Sequence, residues 1–81
     1  MEKVEVYMSN EKKSTPTVGV VVGCKRLNIR EEPSKESEVV DIVPVETELL
    51  IDSDFEHELF YSVLTPDGID GYCMKEFVDI K

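Results

Sequence analysis

The chain has 81 residues, which is enough for one small domain with a modest core, since a chain of this size buries only about 60% of its unfolded surface. A hydrophobic content of 41% and a charged content of 33% are typical of a folded domain rather than a disordered one. The net charge is −9 and is unevenly spread: residues 1–30 carry six Lys/Arg against three Glu, and residues 31–81 carry three Lys/Arg against fifteen Asp/Glu. Such acidity repels a phosphate backbone, so we expect no nucleic-acid partner.

The sequence also lacks the signals of membrane insertion and export. Its longest apolar run, "TVGVVVGC" at residues 17–24, is far too short to span a bilayer. The N-terminal "MEKVEVYMSNEKK" has neither the apolar core nor the cleavage pattern of a signal peptide. We therefore expect no membrane partner and a cytoplasmic location, with release by lysis or together with a phage particle as the alternative.

Two cysteines, Cys24 and Cys73, are expected to be free, small, buried thiols, because disulfides are rare in proteins without an export signal. Two cysteines without nearby further ligands do not make a zinc site, and we expect no cofactor. Whether the two thiols lie close together stays open.

Residues 1–16 form a polar lead-in, or an extra edge strand through "VEVYM" that would offer pairing across a dimer, so the oligomeric state stays open. A strand is predicted at residues 17–24, where Gly19 and Gly23 indicate a bulge or a close backbone approach. In the next run, "RLNIRE", Leu27 and Ile29 alternate with polar residues and are expected to face the core, and Pro33 places "EPSKESE" in a loop.

The rest of the chain repeats short β-prone runs separated by turn residues. We predict strands at "VVDIV", "TELLID", "LFYSVL", "IDGYCM" and "VDIK", with a tight turn at "TPDG" around Pro66 and Gly68 and one 3₁₀ turn at "KEF". Val63 and Val78 join Leu27 and Ile29 as predicted core residues. This spacing predicts an all-β domain over residues 17–81, a small barrel of five to seven antiparallel strands.

Three segments, "LNIREEPS", "LFYSV" and "DGIDGYCMKEFV", resemble in order and spacing the signature of the bacterial Src-homology-3 (SH3b) domain. The resemblance covers residues 17–81 and extends to the short stand-alone form found in Firmicutes and their phages. It implies an SH3-like barrel without catalytic activity, of the kind that attaches wall hydrolases, phage lysins and surface proteins to peptidoglycan or peptides. Two positions depart from the family: Glu46 replaces a turn glycine and must use ordinary backbone angles or accept strain, and Leu59-Phe60 replaces Gly-Trp.

The candidate ligand-binding residues are three aromatics and two polar residues. SH3-like barrels that hold extended peptides use an aromatic-lined groove, for which Phe60, Tyr61 and Tyr72 are available. Alternation places Phe60 and Tyr61 on opposite faces, so one of them should be exposed, and we expect Tyr61 or Tyr72 at the surface. Asn28 and Arg30, on the face opposite Leu27, either contact a ligand or serve the adjacent loop, Arg30 through a carboxylate such as Glu31 or Glu32.

The segment "DSDFEHE" places acidic residues at alternate positions, but it lacks the glycine and the closing glutamate of a calcium loop. We therefore interpret it as a solvated loop tip without a metal. His57 is the only histidine and has no Ser or Cys at a spacing that marks a nucleophile–base pair, so we expect no catalytic residue.

Two functions remain open at this point. The first is a non-catalytic module that binds a peptidoglycan fragment or a peptide through an aromatic surface groove. The second is an intracellular or phage-encoded acidic adaptor that binds a basic protein partner, which the charge beyond residue 30 favours.

Overall fold

A computed structural model describes residues 17–81 of the chain, and the prediction for residues 1–16 lies outside them. The described part consists of seven short strands and one 3₁₀ turn. The strands are β1 (Thr17–Val21), β2 (Arg26–Arg30), β3 (Val39–Pro44), β4 (Glu48–Ile51), β5 (Phe60–Leu64), β6 (Asp70–Met74) and β7 (Val78–Ile80), with the 3₁₀ turn at Lys75–Phe77 before β7. The all-β prediction with a 3₁₀ turn near the C-terminus is confirmed, and none of the described residues forms a helix able to cross a membrane.

The strands form one antiparallel sheet in the order β3-β2-β6-β5-β4-β1-β7. Beyond the strand ladders, the turn between β3 and β4 bonds to the end of β1: the Val21 amide donates to the Thr47 carbonyl (3.0 Å), and the Glu46 amide donates to the Val21 carbonyl (2.8 Å). These bonds bring β3, at one end of the strand order, near β1, which is next to β7 at the other end. The sheet is thereby curled into a small barrel that encloses its aliphatic side chains.

The core lies inside this curl and follows the period-two alternation of the strands. Nine buried side chains form it: Val21, Leu27, Ile29, Val43, Leu49, Ile51, Val63, Cys73 and Val78. All four residues that alternation predicted to face the core belong to this group. In β2, both neighbours of each buried residue point the other way, which fixes the outward direction of Asn28 and Arg30.

Strand β1 is shorter than predicted, because Gly23 adopts a positive φ of 73° and turns the chain after Val21. Gly19, in contrast, stays within the strand and marks a close approach, as expected. A Cβ on Gly19 would stand 2.5 Å from Cγ1 of Val78 on the neighbouring β7.

Two tight turns, one after β5 and one after β3, each contain a residue with a positive φ. The predicted tight turn after β5 is confirmed, since the Gly68 amide donates to the Thr65 carbonyl (2.9 Å) and Gly68 has a φ of 86°. In the turn after β3, the Thr47 amide donates to the Pro44 carbonyl (3.2 Å) and Glu46 has a φ of 72°. A positive φ at this position is the mark of a type II turn, so the chain accepts strain where a glycine would avoid it.

Candidate binding surface

One side of the barrel carries most of the predicted ligand-binding residues. Register fixes their positions: Arg30 on β2 pairs with Tyr72 on β6, and Met74 on β6 pairs with Phe60 on β5. We call this surface the outer face, and it comprises Arg26, Asn28, Arg30, Phe60, Tyr72 and Met74. Arg26 and Asn28 are exposed, whereas Arg30, Tyr72 and Met74 are half-buried. The barrel therefore presents polar side chains from β2 beside aromatic and thioether side chains from β5 and β6.

An aromatic cluster sits at one side of the outer face. The ring of Phe55 lies 5.1 Å from the ring of Tyr72 and stacks on His57 at 6.1 Å, and His57 meets the Phe60 ring edge-on at 5.5 Å. Such tilted and edge-on contacts are the arrangements that aromatic rings favour. The segment 52–59 thus folds over the outer face and covers the ring of Phe60.

This cover corrects the prediction that either Phe60 or Tyr61 is exposed. Phe60 does point away from the core cluster, but only 3% of it is exposed. Tyr61, on the opposite face as predicted, is half-buried and packs against the core, with the Lys75 Nζ 5.3 Å from its ring centroid. Neither ring is fully exposed, because loop 52–59 shields one and the barrel core holds the other.

The acidic segment "DSDFEHE" is exposed at its carboxylates and yet internally hydrogen-bonded. The Asp54 amide donates to Oδ1 of Asp52 (3.0 Å), and the Nδ1 of His57 accepts from the amides of Leu59 (3.1 Å) and Phe60 (3.3 Å). Two backbone amides of the loop thus share one imidazole nitrogen as their acceptor. His57 therefore orders this loop, a role that the sequence did not predict. Within residues 17–81 no three His, Cys, Asp or Glu side chains are grouped to hold a metal ion.

Arg30 serves the loop between β2 and β3, though not through a carboxylate as predicted. Its Nη1 donates to the carbonyl of Ser37 (2.8 Å), rather than to Glu31 or Glu32. The same loop is closed by the Glu31 amide, which donates to the Glu38 carbonyl (2.9 Å). Arg30 keeps its other guanidinium donors for further contacts. None of the side-chain hydrogen bonds within residues 17–81 includes Asn28, so the expected bond to a turn backbone is absent in this part of the chain.

A cavity of about 140 Å³ opens on the outer face. Arg26, Asn28 and Arg30 form one wall, Phe60 and Met74 form another, and Cys24 lies near the end of the barrel. No Asp or Glu of residues 17–81 lines it. Of the five predicted ligand-binding residues, Asn28, Arg30 and Phe60 line this cavity, Tyr72 lies beside it through its pairing with Arg30, and Tyr61 lies elsewhere. Arg26 was missed, although it precedes Asn28 by two positions and so shares its face.

A second, larger groove of about 460 Å³ lies across β1, β4 and β5, where Val18, Leu50 and Leu64 line it. Its charged group is already engaged, because Glu48 forms an ion pair with Lys81 at 2.7 Å. The hydroxyl of Thr65 accepts from the Ile69 amide (3.1 Å). The smaller cavity therefore has polar side chains that bond to no other described residue, and polar groups of this kind orient a ligand in a binding site.

Both cysteines are free, as predicted, but their surroundings differ. Cys73 belongs to the core, and burial, together with the neighbouring Cys24, raises the pKa of its thiol to about 12. Cys24 is half-buried at the cavity. A thiol that stays protonated is a poor nucleophile, so Cys73 is chemically inert at neutral pH.

Comparison with known proteins agrees with this architecture. The sequence model of the bacterial SH3 domain matches residues 25–79, which is more than half of the chain. A search of curated proteins gives no significant match. The matched region runs from the start of β2 into β7 and includes every residue of the outer face. The chain therefore belongs to the bacterial SH3 domain family, whose members are generally binding modules.

Proposed function

We propose that this domain binds a peptidoglycan fragment or an extended peptide on its outer face, without catalysis. The observation that carries the proposal is the position of the aromatic cluster beside a cavity in which most of the polar groups have no hydrogen-bond partner among residues 17–81. Membership of a family of binding modules supports a ligand of this general kind. Peptide-binding modules use aromatic grooves because rigid rings supply contact area with little loss of conformational entropy.

The surface is held in place before any ligand arrives. His57 binds two backbone amides and contacts Phe60, while Phe55 leans on Tyr72. Arg30 is tied to the neighbouring loop through Ser37. Side chains that are already fixed lose less conformational entropy on binding, so the ligand is bound more tightly.

Sedimentation with purified peptidoglycan tests the wall form of this proposal. The wild-type domain should sediment with the polymer, and Tyr72→Ala should weaken retention by several-fold because it removes a half-buried ring from the outer face. Leu50→Ala is the matched control, since Leu50 is 43% exposed on β4 and lines the other groove. Loss of retention in both variants alike would point to a different surface.

If the wild type does not sediment with peptidoglycan, the peptide form is tested by a display library of extended peptides. Enrichment of sequences that lose binding to Tyr72→Ala but not to Leu50→Ala would support it. Failure of the wild type with both ligands would overturn the proposed function.

A second candidate, capture of a basic protein partner, is favoured by two acidic loops beside the outer face. All eight of their carboxylate residues are exposed: Glu31, Glu32, Glu36, Glu38, Asp52, Asp54, Glu56 and Glu58. Such a surface would speed association with a cationic partner and lose that advantage as salt rises. Partners captured at low salt and retained unchanged at high salt would contradict it.

A further inference from the structure

We propose that the cavity on the outer face accepts a carboxylate group attached to a small apolar group, such as the C-terminal end of a peptide. This inference rests on the proposed function and deepens it, because it names the chemical group that the site recognises. The occupant is an anion, unlike the basic partner that the overall charge of the chain favours.

The local charge at the cavity is opposite in sign to that of the chain. The chain has 18 Asp and Glu residues against 9 Lys and Arg, yet among residues 17–81 the cavity is lined by two arginines and by no acidic residue. Arg26 and Arg30 lie on the same wall, since they are four residues apart on one strand. A carboxylate at this point meets cations on a surface that elsewhere repels anions.

The cavity also offers hydrogen-bond donors that no residue in 17–81 occupies. Arg26 is exposed, and none of the side-chain hydrogen bonds or ion pairs within residues 17–81 includes it. Asn28 lies between the two arginines, about 7 Å along the strand from each. Arg30 donates one hydrogen bond to the Ser37 carbonyl. This bond fixes the direction of its guanidinium, whose other donors bond to no residue in 17–81. Charge-assisted hydrogen bonds from guanidinium groups are the strongest that a carboxylate finds in proteins.

The wall of the cavity opposite the arginines is apolar. Phe60 is 3% exposed and Met74 is half-buried, so the carboxylate would be bound next to apolar surface rather than in open water. Lower local polarity strengthens each bond to the arginines. The volume of about 140 Å³ is close to that of protein cavities that hold benzene, so the part of the attached group that enters the cavity is small.

The exposed carboxylates of loops 31–38 and 52–59 restrict which anions can enter. A polyanion would bring several negative charges close to these loops and be repelled by them. A single carboxylate at the end of an otherwise neutral segment would avoid that repulsion. The site therefore selects a peptide end, or one acidic side chain, over a nucleic acid.

The probes for this inference are soluble muropeptides with free carboxyl groups and the same muropeptides after chemical amidation. Acetyl-Ala-Leu and acetyl-Ala-Leu amide provide a second pair without sugar. Titrations followed by NMR should show that each free acid binds about tenfold more tightly than its amide. Equal affinity of acid and amide would overturn the inference. If that equal affinity is still lost in Tyr72→Ala, the proposed function survives.

Two variants and one chemical readout place the carboxylate. Arg26→Gln should remove most of the preference for the acid over the amide, whereas Lys35→Gln, which removes the same charge from an exposed loop position outside the cavity, should keep it. Bound acid should also slow alkylation of Cys24 by iodoacetamide several-fold, because Cys24 lines the cavity. An unchanged preference in Arg26→Gln, or unchanged alkylation at saturating acid, would place the anion elsewhere and overturn the inference.

Discussion

The backbone oxygen of Arg30 lies only 2.8 Å from the point where a Cβ on Gly71 would stand. Cγ2 of Ile29 lies 2.5 Å from the same point. Gly71 is therefore what allows β6 to approach β2 closely enough to pair Tyr72 with Arg30. The dimensions of the outer face depend on this one missing side chain.

Replacing Gly71 with alanine is expected to lower the free energy of unfolding by about 2–3 kcal/mol, because a backbone oxygen cannot rotate aside as a side chain can. Gly68→Ala is the control: its added Cβ would meet no atom within 4 Å, so only the positive φ is penalised, at about 1 kcal/mol. Urea denaturation of both variants measures the difference. A loss in Gly71→Ala no greater than that in Gly68→Ala would contradict the close approach.

Replacing Glu46 with glycine is expected to stabilise the fold. Its φ of 72° costs about 1–2 kcal/mol for a residue with a side chain, and glycine removes that strain while losing part of the gain to its greater unfolded-state entropy. We expect Glu46→Gly to raise the free energy of unfolding by about 0.5–1 kcal/mol. The same denaturation experiment measures it, and Glu46→Ala, which keeps a Cβ, should not gain. Equal effects of glycine and alanine would show that charge, not strain, decides.

His57 is predicted to stabilise the loop that covers Phe60. His57→Ala removes the acceptor of the Leu59 and Phe60 amides as well as the ring contacts, and should cost about 1–3 kcal/mol. Amide hydrogen exchange at Leu59 and Phe60 should also accelerate. Glu58→Ala, an exposed neighbour, is the control and should change neither quantity. Unchanged exchange at both amides in His57→Ala would mean that the imidazole does not hold the loop.

The raised pKa of Cys73 predicts that the free energy of unfolding falls at alkaline pH. Its folded pKa of about 12 exceeds the ordinary value of 9.0, so between these pH values the unfolded chain gives up the thiol proton and the folded chain keeps it. This contribution to stability is complete below pH 9 and falls by about 1.4 kcal/mol per pH unit above it. Denaturation of the wild type and of Cys73→Val across this window should show a steeper decline for the wild type. Parallel curves would refute the assignment.

The local pattern of the sequence was sufficient to predict the strands and four of the nine residues of the core cluster. Period-two alternation placed Leu27 and Ile29 in the core because a strand must turn every second side chain the same way. Turn chemistry likewise placed Gly68, whose positive φ is cheap only for glycine. These features depend on neighbours in the chain, which is why the sequence alone reveals them.

The candidate site was predicted only in part, because it depends on contacts between distant segments. The burial of Phe60 follows from a loop that folds back over it through Phe55 and His57, and no local periodicity encodes that return. The predicted partner of Arg30, a carboxylate, was wrong for a similar reason. The fold of the loop places the Ser37 carbonyl, not a carboxylate, within hydrogen-bond distance of the guanidinium. Arg26 could have been predicted from the sequence, because the alternation that identified Asn28 places Arg26 on the same face.

The most direct test of the account is a map of backbone amide shifts in the ¹⁵N-labelled domain on addition of soluble muropeptides. We predict saturable shifts centred on residues 26–30 and 72–74, which lie on β2 and β6 and carry five of the six residues of the outer face. Absence of saturable shifts, or shifts centred on Val18, Leu50 and Leu64 in the apolar groove, would contradict muropeptide binding at the outer face.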